Sequence, residues 1–408
     1  MRNILAMVLA GGENAGLQPL TIERSTPALP FASRYRVVDF VLSNLVNSGI
    51  HSIYLLVQYR SQSLIEHVNK AWVLSHIPGH FITVVPPQMR EGPAWFKGTA
   101  NAIFQNINLI EQAQPDLVAV FGADHIYRMD VRQMVDFHRR RNAAVSVAAI
   151  PVPLTQASAF GIIDADEDGR IRHFVEKPER PQAMPGDPTR AYGSMGNYIF
   201  DTEVLLHALQ EARRREEHDF ARHILPRLVD SHGVYAYDFA QNCVPGIQPY
   251  EEPAYWRDVG TIDAYFAANQ DVLGAQPRFD LLNARWLVCS SNYQGPTLRV
   301  CKGQIENSTI GAGSLVKGGR VRNSVLRREV VIEEDAELED CIVMDNTVIG
   351  RGAKLRRVIV DRYNTIEPGA RIGYDVSADR RRYHVSESGL VVVARQAPEA
   401  GAAYYQER

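Results

Sequence analysis

"ILAMVLAGGENAGLQPL", Ile4 to Leu20, is the stretch that decides the fold class. Ile4–Ala10 is an uncharged run of aliphatic and small residues, short enough for a strand buried on both faces. Gly11 and Gly12 follow at once. A glycine turn after a buried strand lets backbone N–H groups approach a phosphate. A tight strand-to-helix turn needs glycine for itself, so these residues alone support both readings equally. The turn contains no Lys or Arg.

Working outward, short β-rich runs alternate with helical patterns, as in an α/β domain with a mostly parallel sheet. Asp39–Gly49 has apolar residues at helical spacing and a glycine stop. Ser52–Tyr59 reads as a strand and Ser63–Trp72 as the start of a helix. Asp116–Tyr127 reads as a strand running into a polar turn, and Ala143–Val152 as another strand. Arg139–Arg141 read as a solvated helix end.

After Phe279 the texture changes. Ile310-Gly-Ala-Gly-Ser begins a pattern that returns at Ile332, Ile349 and Ile366, in steps of 22, 17 and 17 residues. Aliphatics stand six residues on, at Leu338, Leu355 and Ile372. One inward aliphatic per hexapeptide builds a parallel β-helix with three faces per coil. The expected division is residues 1–275 for the α/β domain and 276–408 for the β-helix with its C-terminal tail.

The 408 residues are enough for two or three domains. A formal net charge of −3 gives no reason to expect nucleic acid or an anionic membrane as partner. Cys243, Cys289, Cys301 and Cys341 form no CxxC pair and read as reduced thiols. No apolar stretch approaches the ~20 residues of a membrane span. The N-terminus has no cleavage site after its apolar run. A cytoplasmic location is expected.

Four stretches carry candidate chemistry. Gly11 and Gly12 are the first. Asp124 in "FGADHIY" follows a strand, where open α/β sheets put their ligands, and its carboxylate suits Mg²⁺ or a helix cap. Asp258 in "RDVGT" stands before a glycine and a helix, with the same two options. Glu176 and Lys177 end the strand of "FVEKP"; the pair suits a sugar phosphate or is an exposed ion pair.

In this order, the blocks "LAGG…PLT", "YRVVDFVLSN", "QYRSQSL", "WFKGTANAI", "GADHIYRMD", "FVEKP", "SMGNYIFD", "HDFARHILP" and "YWRDVGT" resemble bacterial ADP-glucose pyrophosphorylase (glucose-1-phosphate adenylyltransferase). The resemblance covers nearly the whole chain. It implies a Rossmann-like nucleotidyltransferase domain followed by a left-handed parallel β-helix. It implies an enzyme of glycogen biosynthesis that joins ATP to glucose 1-phosphate with Mg²⁺, assembles as a homo- or heterotetramer and answers to an anionic metabolite. By position it assigns Asp124 and Asp258 to metal and catalysis. Gly161, Glu176, Lys177, Ser194 and Phe96 fall to glucose 1-phosphate, and Leu9, Gly11, Gly12, Gln88 and Gly98 to the nucleotide. Arg34 and Arg36 fall to the effector.

The chain departs from the family pattern. Asn14, Gly16 and Thr26 stand where the family carries Gly, Arg and Lys, and Phe96 and Asn101 where it carries Tyr and Asp. The departures imply a weakened triphosphate end. Two other readings follow from them: a catalytically impaired regulatory subunit of a hetero-oligomer, and a related nucleotidyltransferase for another sugar or base. Glycine at 16 is expected for its backbone freedom.

Overall fold

The computed structural model describes residues 3–74, 77–88, 92, 95–184 and 186–395. The tail beyond 395, part of the expected C-terminal domain, lies outside the described residues. The N-terminal half runs β1 (Ile4–Ala10), β2 (Pro30–Phe31), β3 (Tyr35–Arg36), α1 (Val38–Asn47), β4 (Ser52–Val57), α2 (Gln62–Ala71) and β5 (Phe81–Val85). It continues through α3 (Thr99–Phe104), α4 (Ile107–Ala113), β6 (Leu117–Gly122), β7 (His125–Tyr127), α5 (Val131–Arg140) and β8 (Val145–Pro153). Then come β9 (Gly161–Ala165), β10 (Ile171–Glu176), β11 (Arg190–Asp201), α6 (Thr202–Arg214), α7 (Leu225–Ser231), β12 (Val234–Asp238), β13 (Trp256–Asp258) and α8 (Ile262–Gln270).

The main sheet has the order β10-β9-β11-β6-β1-β4-β5, with β8 joining β11 and β12. β6, β1, β4 and β5 are mutually parallel, and β11 runs antiparallel to β6. β1 shows why its run carries no charge. Leu5 and Met7 point into one apolar layer, and Ala6, Val8 and Ala10 into the other. Burying a Leu or Met side chain this fully contributes about 1.5–3 kcal/mol. Register places Ala10 beside Val57 and Leu9 beside Gly122. Gly11, Gln58 and Asp124 therefore leave the sheet at one edge, the C-terminal one.

The expected strand Asp116–Tyr127 is two strands. Its polar break at Ala123–Asp124 lets β7 leave the sheet and pair with β13. α1 stops before Gly49, whose φ of +77° an L side chain rarely adopts.

The C-terminal half is a β-helix with three aliphatic columns. Val316, Ile332, Ile349 and Ile366 stack in one. Val321, Leu338, Leu355 and Ile372 stack in the second. Ile310, Leu326, Val343 and Val360 stack in the third. The sequence pattern misplaced Ile310, which belongs to a different face from Ile332. Its longer step to the next match is one coil plus one hexapeptide.

The two halves are joined by a shared apolar cluster containing Phe31, Phe40, Tyr265 and Phe279 with Val325, Ile342 and Ile359. Buried Arg24 pairs with buried Asp361. Arg327 donates to the carbonyls of Phe31, Ala32 and Tyr35 at 3.2, 3.0 and 2.8 Å. Capping three carbonyls of the β2–β3 turn with one guanidinium fixes that turn against the β-helix.

Candidate functional site

A cavity of about 480 Å³ opens at the C-terminal edge of the sheet. It gathers most of the residues singled out above: Leu9, Gly11, Gly12, Phe96, Gly98, Asp124, Gly161, Glu176, Lys177, Ser194 and Asp258. Gln88 is not among the lining residues. It lies exposed after β5, and its amide donates back to the Pro86 carbonyl at 2.8 Å. Arg34 and Arg36 lie elsewhere, between the two halves of the chain.

The β7–β13 ribbon brings the two aspartates together. Asp258 is registered opposite His125, the neighbour of Asp124. His125 packs against Trp256 in a tilted arrangement with ring centroids 4.8 Å apart, and its Nδ1 lies 3.4 Å from Asp124 Oδ1. Neither aspartate caps a helix. β7 follows Asp124, and Thr261 is the residue that caps α8. Asp258 Oδ1 instead accepts the Gly260 N–H at 2.8 Å. Burial raises the Asp258 carboxyl above its ordinary range; His125 lowers it and the Asp124 charge raises it further.

Such a pair fits a divalent cation. Two carboxylates face each other's field, and the buried His125 Nδ1 beside them has no hydrogen-bond partner among the described residues. Among the described residues no cluster of three or more His, Cys, Asp or Glu side chains could hold a metal. An ion of the Mg²⁺ type takes one or two carboxylates and completes its shell with water and substrate phosphates.

The other end of the cavity is built across strands. Glu176 on β10 stands directly opposite Gly161 on β9. A Cβ at 161 would lie 2.9 Å from Glu176 Oε2 and 2.8 Å from Phe174 Cζ, so only glycine lets the carboxylate lie over that strand. Lys177 follows with a left-handed φ of +49°, and its Nζ is 3.9 Å from Glu176 Oε1. Ser194 begins a register shift in β11, where Gly196 N–H reaches its Oγ at 3.3 Å. Bulges of this kind re-aim side chains. Burial raises Glu176 above the usual carboxylate range, with Lys177 and Arg222 lowering it and Asp219 raising it.

Sequence reasoning assigned no role to Gln58, Thr99, His125 and Asp219, which also line the cavity. Gln58 follows β4 at the same sheet edge where Asp124 follows β6, a positional signal. It accepts the Phe96 N–H and donates to the Phe96 carbonyl. Asp219 accepts a hydrogen bond from Thr99 Oγ1 at 3.0 Å. The His218 carbonyl accepts from Ala100 and Asn101 at the start of α3. Gly98 is required there: its Cβ would meet the His218 oxygen at 2.4 Å. Asn101 is a local brace, accepting from the Lys97 N–H at 3.0 Å and Gln105 Nε2 at 2.9 Å.

At the glycine turn, Asn14 Oδ1 accepts the Gly16 N–H at 2.9 Å. A Cβ on Gly16 would come within 2.6 Å of the Gly260 carbonyl oxygen. Gly16 is not among the positive-φ residues. Glycine is needed there for close approach rather than for backbone freedom. Thr26 is buried, and its hydroxyl has no hydrogen-bond partner among the described residues.

A twisted, largely parallel sheet with ligands at its C-terminal edge, joined to a hexapeptide solenoid, defines a class of group-transfer enzyme. The nucleotidyl transferase family model matches residues 5–274, and that of the GlmU-like C-terminal hexapeptide matches 297–393. The chain belongs to the nucleotidyl transferase family, and within it to the glucose-1-phosphate adenylyltransferases. It is 53% identical to the glucose-1-phosphate adenylyltransferase of Thermodesulfovibrio yellowstonii over 97% of both chains. It is 46% identical to that of an Anaeromyxobacter species over 97% of this chain and 98% of the relative. With that of Corynebacterium jeikeium it shares 45% identity over 96% and 98%.

Proposed function

We propose that this protein converts ATP and glucose 1-phosphate to ADP-glucose and pyrophosphate, in glycogen synthesis. The observation that carries the proposal is the cavity itself. Asp124, the adjacent pair Glu176 and Lys177, and Asp258 come from three separate stretches and line one chamber. A phosphate oxygen of glucose 1-phosphate attacks the α-phosphorus of ATP in line, the bond to the β-phosphate oxygen breaks, and pyrophosphate leaves. No side chain needs to act as nucleophile, so the protein's work is positioning.

In this reading Glu176 accepts from sugar hydroxyls and Lys177 meets the phosphate, with Gly161, Ser194 and Phe96 shaping that end. Leu9, Gly11, Gly12 and Gly98 shape the nucleotide end, and Gln88 meets the base from outside the chamber. Asp124 and Asp258 hold Mg²⁺, which supplies charge neutralisation at the reacting phosphates. The lining supports this: four carboxylates face a single lysine there, a poor match for polyphosphate without a divalent cation.

Arg34 and Arg36 border a second pocket of about 240 Å³ with Arg327, Arg328 and Arg362. It takes an anionic metabolite as effector. The active form is a tetramer in the cytoplasm; no helix among the described residues is long and apolar enough to cross a membrane. The test is an assay of the purified protein with Mg²⁺, pairing glucose 1-phosphate with each nucleoside triphosphate in turn and ATP with other sugar 1-phosphates in turn. ADP-glucose should form with the highest kcat/KM. A higher value for another base or sugar 1-phosphate, or no product at all, overturns the reading.

A further inference from the structure

The sugar-phosphate end of the cavity is short of cations for the ligand it must hold. Lys177 Nζ already lies 3.9 Å from the Glu176 carboxylate, and Asp219 adds a further negative charge to the same wall. One other cation, Arg222, stands beside that wall, next to the lining residue Ala221 but not itself among the lining residues. A π-helical turn covers Phe220–Ile224, and its first residues flank the chamber: Asp219 and Ala221 both line it, with Arg222 next. Turns of this type recur at functional sites because the extra residue re-aims side chains.

The turn is firmly held. Asp219 Oδ1 accepts the N–H groups of Ala221 and Arg222 at 2.9 and 3.0 Å. Thr99 Oγ1 donates to Asp219 Oδ2 and accepts from the Phe220 N–H, both at 3.0 Å. Arg222 is therefore presented from a fixed backbone, while its side chain is exposed. No salt bridge to it occurs among the described residues, unlike Arg227, which is paired with Glu211 and Glu217. Its charge is close enough to lower the Glu176 carboxyl.

We propose that Arg222 is a second phosphate-binding residue of this site, closing on the sugar phosphate opposite Lys177. A guanidinium offers a planar fork that matches two phosphate oxygens, which the Lys177 ammonium cannot do. Two cations against the Glu176 and Asp219 carboxylates leave that end neutral before the phosphate arrives. The inference rests on the reading of the cavity as a sugar 1-phosphate site.

The test uses the full-length protein and the variants R222K and R222M. Calorimetry with glucose 1-phosphate, with galactose 1-phosphate and with free glucose is run beside steady-state kinetics. R222M should weaken both sugar phosphates about 10-fold, a loss of ~1.4 kcal/mol. R222K should recover part of it, and KM for ATP should change less than twofold. If wild type prefers galactose 1-phosphate but R222M still weakens both, the substrate assignment falls and the role of Arg222 stands. Equal affinity in wild type and R222M, with the melting temperature unchanged, overturns the role. A matched loss for ATP and sugar phosphate, together with a lowered melting temperature, shows a structural part for Arg222 and also overturns it.

Discussion

The chamber at the sheet edge and the pocket between the halves of the chain carry opposite charge. The first sets Asp124, Glu176, Asp219 and Asp258 against Lys177. The second sets five arginines, Arg34, Arg36, Arg327, Arg328 and Arg362, against Glu329 and Asp345. Both are proposed to take phosphorylated ligands, so the difference marks two ways of doing it. The acidic chamber, on the proposed reading, would need a divalent cation held by Asp124 and Asp258 to neutralise incoming phosphates. The basic pocket, on the same reading, would meet an anion directly through its arginines. Burial lowers Arg36 to about 10, with Arg327 as the next largest cause, and it lowers Arg328 in the same way. Crowded, desolvated cations of this kind are relieved by an incoming anion.

Removing the metal is the sharpest way to test that contrast. Chelation, or Asp258→Asn in the presence of Mg²⁺, should lower kcat/KM by at least ~10³-fold, about 4 kcal/mol of transition-state stabilisation. Anion binding at the arginine pocket, followed by calorimetry with inorganic phosphate, should survive chelation. Loss of both together would mean the two pockets do not differ in the way described.

The next largest effect is on stability. Burial pushes Asp345 up, but Arg327 and Arg36 outweigh it and hold the carboxyl below its ordinary range. A group depressed in the folded state stabilises fully above its unfolded pKa, about 3.9, and the contribution is lost as pH falls through the folded value. Wild-type melting temperature should therefore drop on acidification below pH ~4. Asp345→Asn should cost about 3–5 kcal/mol at neutral pH by leaving buried cations uncompensated. Its acid slope should be shallower but not flat, because buried Asp39 is also depressed: burial raises it, and His67, Ser290 and the Arg36 N–H together outweigh that. Parallel acid slopes in the two proteins would remove Asp345 from this role.

Smaller effects belong to single charges at the two rims. Lys177→Ala should raise KM for glucose 1-phosphate about 10-fold, ~1.4 kcal/mol, with a lesser change for ATP. Unchanged sugar-phosphate affinity would take the ammonium off the phosphate. Exposed Arg34 should matter least. Arg34→Ala is expected to shift half-saturation by an anionic effector a few-fold, roughly the worth of one exposed charge, and to leave the effector-free rate alone. A titration of rate against effector checks both halves of that statement.

The charge pattern was only partly legible in the chain. Asp124 and Gly11 could be placed at the sheet edge because each follows a strand, and strand ends are local signals. Asp219 and Gln58 sat inside recognisable blocks without an assigned role, because neither a helix cap nor a strand-end amide announces which cavity it will face. The glycines show the same limit. Gly16 and Gly98 look like turn residues, yet each is required by a distant carbonyl, of Gly260 and His218 respectively. Returning an arginine to position 16 therefore needs the loop to move away from Gly260, whatever charge it restores.

By itself the sequence determined the uncharged strand Ile4–Ala10, the α/β alternation, the hexapeptide repeat and the residue types at the candidate site. These are periodic or contiguous patterns, and burial on a strand or in a solenoid writes them locally. Only the tertiary structure decided that Asp258 lies beside Asp124, through the β7–β13 ribbon. It alone decided that Ile310 belongs to another column than Ile332, and that five arginines meet where the β2–β3 turn docks on the β-helix. Those outcomes depend on pairings between segments far apart in the chain, and periodicity within a segment holds no record of which partner it will meet.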